Sequence, residues 1–201
     1  MKKWIAIVLG SLFAKAGIAQ EYYVTMKGDT VRGEIKSFDK NGIRFKPEDG
    51  PAAQKVPIGD VKAFYDKKDK SVYFRQYLPD VKDDVFVKLL EDGRIRLYER
   101  LDLQMRFGAP TFGFGGISVG GMNQSKQKNW YASKDGKPLE EVKTSELLKS
   151  KSRSERKDSF YSLFDDDPDM MEVVKKSGQF GFDDIRKFIK QYNELNPVKS
   201  K

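Results

Sequence analysis

A period-two alternation of apolar and polar residues, cut by glycine-bearing turns, runs through the first half of the chain and confines it to antiparallel β structure. Tyr22, Val24 and Met26 alternate with Tyr23 and Thr25, and Lys27-Gly28-Asp29 turns the chain. Val31, Gly33 and Ile35 then alternate with Arg32, Glu34 and Lys36. Phe38 breaks that parity, so a bulge is expected near Ser37. Asn41-Gly42 has the composition of a hairpin whose two central residues take positive φ. Ile43 and Phe45 resume the alternation, and a Pro/Gly/Ala loop leads to Val56, Ile58, Val61, Phe64 and Tyr65. The next strand, Val72 to Leu78, has Tyr73, Arg75 and Tyr77 on one face and Val72, Phe74 and Leu78 on the other. Asp92-Gly93 reads as a second two-residue hairpin, joining Val85–Glu91 to Arg94–Phe107. The far end of that second arm alternates cleanly, which argues for a sheet with one solvated face.

Glycines crowd between Gly108 and Gly121, so 108–128 reads as a loop interrupting the sheet. Asn129 to Ser133 returns as a strand and Asp135-Gly136 turns it. From Leu139 the spacing becomes helical. Phe160, Leu163 and Phe164 follow i, i+3, i+4. Asp167-Pro168 is an N-cap followed by proline at the first helical position, and Gly178 is a stop. Ile185, Phe188, Ile189, Tyr192 and Leu195 form one stripe, ended by Asn196-Pro197. The expected fold class is α+β: an antiparallel sheet or small SH3/Sm-like barrel over 20–138, with a helical segment over 139–201 packed on it.

The amino terminus reads as an export signal over 1–19. Lys2 and Lys3 precede an apolar run from Trp4 to Ala14, and Gly17-Ile18-Ala19 places small residues before Gln20, the expected cleavage point. Lys15 ends the run well short of the roughly 20 apolar residues a membrane span needs. Three of the lysines behind the formal net charge of +8 lie in this segment. The expectation is export to the periplasm or cell surface, with no transmembrane segment after processing.

The chain contains no Cys and no His among its 201 residues. That excludes a Ser-His-Asp triad, a thiol nucleophile, a disulfide and zinc sites of the usual ligand types. An exported chain without cysteines holds together by packing alone, with 38% hydrophobic and 34% charged residues to do it.

Several strings together resemble a group of uncharacterised exported envelope proteins of Bacteroidota. They are Gly28-Asp29-Thr30-Val31-Arg32-Gly33-Glu34-Ile35, Val56-Pro57-Ile58 running into Val61-Lys62-Ala63-Phe64, Asp92-Gly93-Arg94 leading to Leu97-Tyr98, and Tyr192-Asn193. The resemblance implies a short sheet domain followed by helices, and an envelope location. It carries no activity, cofactor or site residue.

The remaining constellations have structural readings beside chemical ones. Asp165, Asp167 and Asp169 match the first spacings of a calcium loop, but Met170 stands where the loop needs Gly and Lys176 where it needs Glu; helix capping explains them. Gly113-Phe114-Gly115 opens no phosphate cradle, since Ser118 falls at the sixth position and no helix follows. Ser37 to Lys40 and Ser154 to Lys157 match S-x-x-K without its companion strings. The acid pairs Asp83-Asp84, Glu140-Glu141 and Asp183-Asp184 are the raw material for a carboxylate-dependent glycan hydrolase. Between Lys143 and Lys157 basic residues outnumber acidic ones. The segment lacks the interleaved aromatics of a nucleic-acid surface, so no nucleic acid is expected. It reads as a solvated helix, or as an electrostatic contact with anionic envelope polymers or lipid headgroups.

The reading is therefore a non-enzymatic exported protein, without catalytic, cofactor or metal residues, that binds an envelope protein or polymer. Its recognition surface would be a sheet edge together with Tyr73, Arg75 and Tyr77, because Tyr and Arg anchor interfaces. That same face could instead pack under the helices. Two other functions stay open: the glycan hydrolase, and a structural domain of a larger envelope assembly.

Overall fold

The computed structural model describes residues 20–107, 111–113, 116–118, 122–146 and 151–198, with the side chains of 101–126 excepted. Strands β1 (Tyr22–Thr25), β2 (Thr30–Asp39), β3 (Gly42–Pro47) and β4 (Gln54–Pro57) are followed by a 3-10 turn at Ile58–Asp60. Then come β5 (Val61–Asp66), β6 (Ser71–Leu78), β7 (Asp83–Glu91) and β8 (Ile95–Phe107). A small two-stranded ribbon, β9 (Thr111–Gly113) with β10 (Gly116–Ser118), precedes β11 (Met122–Lys134) and β12 (Glu140–Thr144). Helices α1 (Arg153–Ser162), α2 (Pro168–Ser177) and α3 (Phe182–Leu195) complete the α+β fold.

Ten strands form one antiparallel sheet in the order β12-β11-β8-β7-β6-β5-β1-β2-β3-β4. It stays open, with β4 and β12 at its edges. β2 serves two partners. Thr30 to Arg32 pair with β1, and Gly33 to Asp39 pair with β3. The register slips between Ile35 and Ser37, which is the bulge that the misplaced Phe38 signals. This bend wraps the first five strands around Ile35, Ile43, Phe45, Val56, Val61 and Phe64. The wrapping is barrel-like, but β5 hands on to β6 instead of closing the barrel.

The central strands are buried on both faces, while β2 keeps one wet face, with Arg32, Glu34 and Lys36 exposed; the side chains of 101–107, where the far end of β8 alternates, lie outside the described residues. On one face Ile95 and Leu97 of β8, Trp130 and Ala132 of β11 and Val142 of β12 meet the helices. On the other, Leu78, Val85, Val87, Tyr98, Tyr131 and Leu139 form a smaller core. The stripe Ile185, Phe188, Ile189 and Tyr192 holds α3 in place, and each such side chain contributes about 1.5–3 kcal/mol by leaving water. Leu195, the last residue of the expected stripe, is exposed.

Four local expectations change. Residues 122–128 are not loop: β11 pairs with β8 from Met122↔Phe107 to Lys134↔Ile95. Helix does not begin at Leu139, because 140–144 pair with β11 and the first helix starts at Arg153. Asn41-Gly42 is not the centre of its turn; Gly42 already pairs with Asp39, leaving Lys40-Asn41 between the strands. The connection at Asp92-Gly93 is one residue longer than a two-residue hairpin, since β8 starts at Ile95. Positive φ at two successive turn residues occurs instead at Asp135-Gly136, at 50° and 77°.

The helix ends follow the sequence. Asp167 Oδ1 accepts from Met170 N–H at 3.0 Å, Pro168 opens α2, and Gly178 closes it with φ 65°. Ser152 and Glu155 form a reciprocal capping box on α1.

Candidate functional site

The structure separates Tyr73, Arg75 and Tyr77. Tyr73 is buried. Its ring stacks on Phe64 with centroids 4.9 Å apart, under Phe38 of β2, and its hydroxyl donates to Asp69 at 2.6 Å. It lies beneath the β2–β3 hairpin and not beneath the helices. Arg75 is half-buried, pairing with Asp84 at 2.6 Å and donating to the Gly59 carbonyl at 3.1 Å. Tyr77 alone of the three is exposed, at 57%. The face is thus two-thirds internal packing. The signal available beforehand was the aromatic content of β2 and β5, which needed a ring to stack against.

The other residues singled out earlier are dispersed. Ala19 lies outside the described residues, and Gln20 is exposed beside Glu21. Glu21 is buried, its carboxylate accepting from Ile35 N–H at 2.7 Å and Lys67 N–H at 3.0 Å. Among the acid pairs, Asp84 serves Arg75, Asp184 accepts from Gly181 N–H at 2.8 Å, and buried Glu141 stands 3.5 Å from Arg156. Among the described residues no three Asp or Glu side chains gather as a metal site.

One acid missed as a centre is Asp166. Tyr192 donates to both its oxygens, at 2.8 and 3.0 Å, Arg94 reaches it at 2.9 Å, and Lys134 contacts it directly. Arg94 also grips Asp135 with two nitrogens, at 3.0 and 2.6 Å, and Lys134 donates to the Leu163 carbonyl at 2.7 Å. Burial alone would raise the Asp166 carboxyl, but the hydrogen bonds from Lys134, Tyr192 and Arg94 outweigh it and hold it well below the usual range. Burial and the hydrogen bond to Asp166 push the Tyr192 phenol up, with Arg94 opposing them. Two cations and two acids satisfy one another here, so the cluster ties α3 and the α1–α2 turn to the start of β8. It is a fastener.

The surface with open polar groups lies on the opposite face of the sheet. A groove of about 500 Å³ is lined by Gln76, Tyr77 and Pro79 of the β6 end, Arg96 and Tyr98 of β8, and Ser133, Gly136, Lys137, Pro138 and Leu139 around the β11–β12 turn. Tyr98 is its floor, 2% exposed, with Phe74 packed edge-on at 6.1 Å. Burial pushes the Tyr98 phenol up, and the hydrogen-bonded Arg96 guanidinium offsets part of that. Arg96 is steadied by Asp92, whose Oδ1 accepts from its Nε at 2.9 Å. Ser133 is tied to the Lys137 carbonyl, which fixes the turn that walls the groove. The groove thus offers rings and prolines for apolar contact, and guanidinium, ammonium and amide groups as donors, carried by strand ends and the β11–β12 turn.

No family model, curated protein or solved structure matches the chain.

Proposed function

We propose that this chain is an exported, non-enzymatic binding module of the cell envelope, at the periplasm or cell surface, and that the Tyr98–Arg96 groove takes a segment of a cell-surface polymer. The observation that carries this reading is the groove's lining: the exposed Tyr77 ring beside the buried Tyr98 floor, two proline walls and several hydrogen-bond donors, with no Asp or Glu among the residues that form it. Sugar rings present apolar faces and a rim of hydroxyls, and such a lining matches both. The absence of a facing carboxylate pair in that lining favours holding a glycan over hydrolysing one. Among the described residues the exposed large apolar side chains (Met26, Phe38, Tyr77, Val173, Leu195, Val198) are spread over a turn, strands, helices and the carboxyl end, which favours a module over a buried part of an assembly. Among the described residues no helix is long and apolar enough to cross a membrane. Export is supported by the signal pattern of residues 1–19 and the resemblance to exported Bacteroidota proteins.

The test is a titration of the purified protein with oligosaccharides released from the envelope, followed by NMR. The expected result is shifts at Tyr98, Leu139 and Gly136, with Arg96→Ala weakening binding about tenfold, the equivalent of ~1.4 kcal/mol. Binding that leaves these residues unmoved, or that Arg96→Ala does not weaken, contradicts the assignment.

A further inference from the structure

A second surface, independent of the groove, gathers positive charge that the fold compensates only in part. Where β12 meets α1, four cations converge from two elements: Lys143 on the strand, and Arg153, Arg156 and Lys157 on the helix. The Lys143 ammonium lies 4.5 Å from the Phe180 ring centroid and 5.6 Å from that of Phe182. The Lys157 ammonium lies 5.7 Å from the same Phe180 ring. Burial, then Arg153 and Arg156, hold the Lys143 amine below the usual lysine range; Asp184 opposes the shift and Lys157 adds a smaller part to it.

The acids nearby are already engaged. Glu141 stands against Arg156, Asp184 caps the Gly181 N–H, and the Glu155 carboxylate accepts from Ser152 N–H. Among the described residues Lys143, Arg153 and Lys157 have no carboxylate at ion-pair distance, and the Lys143 ammonium donates to the Phe180 carbonyl. Arg153 and Arg156 also sit in the first turns of α1, where the helix dipole is itself positive and favours anions. Like charges stacked in this way are relieved by an oxyanion.

We infer that this cluster binds phosphate groups, either free or carried on an anionic lipid headgroup. Arg153 supplies a planar fork of donors, and Lys143 and Lys157 supply point charges held in place over Phe180. A nucleic-acid strand fits less well. Phe180 is buried and offers no open ring for a base to stack on.

The test uses the purified protein with two probes. One is inorganic pyrophosphate, followed by calorimetry. The other is co-sedimentation with vesicles of phosphatidylcholine alone or with phosphatidic acid. The expected result is binding to at least one phosphate probe, weakened at high salt and reduced about tenfold in each of Arg153→Gln and Lys157→Gln. Lys62→Gln, a remote exposed lysine, should bind as the parent does. Loss confined to pyrophosphate identifies a free-phosphate site, and loss confined to vesicles identifies a headgroup site. The inference is overturned if neither probe binds, if the two variants bind like the parent while unfolding at the same temperature, or if Lys62→Gln loses as much as they do.

Discussion

A Cβ at Gly42 would stand 2.1 Å from the Val56 carbonyl oxygen, and the residue's φ is 143°. Close approach of β4 and the positive φ both demand glycine there. Gly42→Ala should destabilise the protein by about 1–3 kcal/mol in denaturant unfolding, the cost of overpacking a well-packed site. Gly59→Ala, where a Cβ meets nothing within 4 Å, should change it by less than about 0.5 kcal/mol. Gly93 makes a similar point. Its absent side chain leaves room for Asn193 of α3, whose Cγ would lie 2.4 Å from a Cβ. The Asn193 amide stands in for a strand: Ile95 N–H donates to its Oδ1 at 2.9 Å, and its Nδ2 donates to the Ile95 carbonyl at 2.7 Å. Asn193→Ala strands both backbone groups, so an unfolding loss of roughly 1–3 kcal/mol is expected. Asn193→Asp keeps the acceptor and loses the donor, and should fall short of the parent too.

At the scale of elements, Asp166 decides how the helices hold to the sheet. Its folded-state carboxyl is held below the ordinary value, so its contribution to stability is fully present above the unfolded carboxylate pKa of about 3.9 and is lost as pH falls below it. Melting temperature should therefore drop through the acid range in the parent. Asp166→Asn should melt lower at neutral pH and show a shallower acid drop. An unchanged acid slope would place that proton uptake elsewhere. The helices themselves were readable because their signals are local: Asp167-Pro168, Gly178 and the α3 stripe are one-residue chemistry or simple periodicity. β12 was not readable. Leu139 and Val142 stand three apart among charges and imitate a helix, while their burial depends on Tyr131 and Trp130 across the sheet. The length of β11 was hidden similarly, since its polar stretch Asn123 to Lys128 is held as strand by pairing with β8. Tyr73 reads in the sequence either as recognition surface or as packing under the helices, and neither reading reaches its actual cover, because the stacking partner Phe64 lies on the neighbouring strand.

For the whole molecule, the arrangement follows from burying both sides of the central strands. The bent β2 and its hairpin cover one end of the sheet, the helices cover the other, and the reverse face keeps a small core beside the open groove. Of the groove's residues, the sequence points to Tyr77 as a recognition residue. Arg96, Tyr98 and Lys137 come together only through the β8–β11 pairing and the Asp135-Gly136 turn. The most direct measurement is site-specific photocrosslinking in the intact envelope, with a photoreactive residue at Lys137 on the groove wall or at Lys176 on α2. The account predicts a discrete polysaccharide adduct from position 137 that Arg96→Ala abolishes, and none from 176. Identical adducts from both positions, or a 137 adduct indifferent to Arg96, would contradict it.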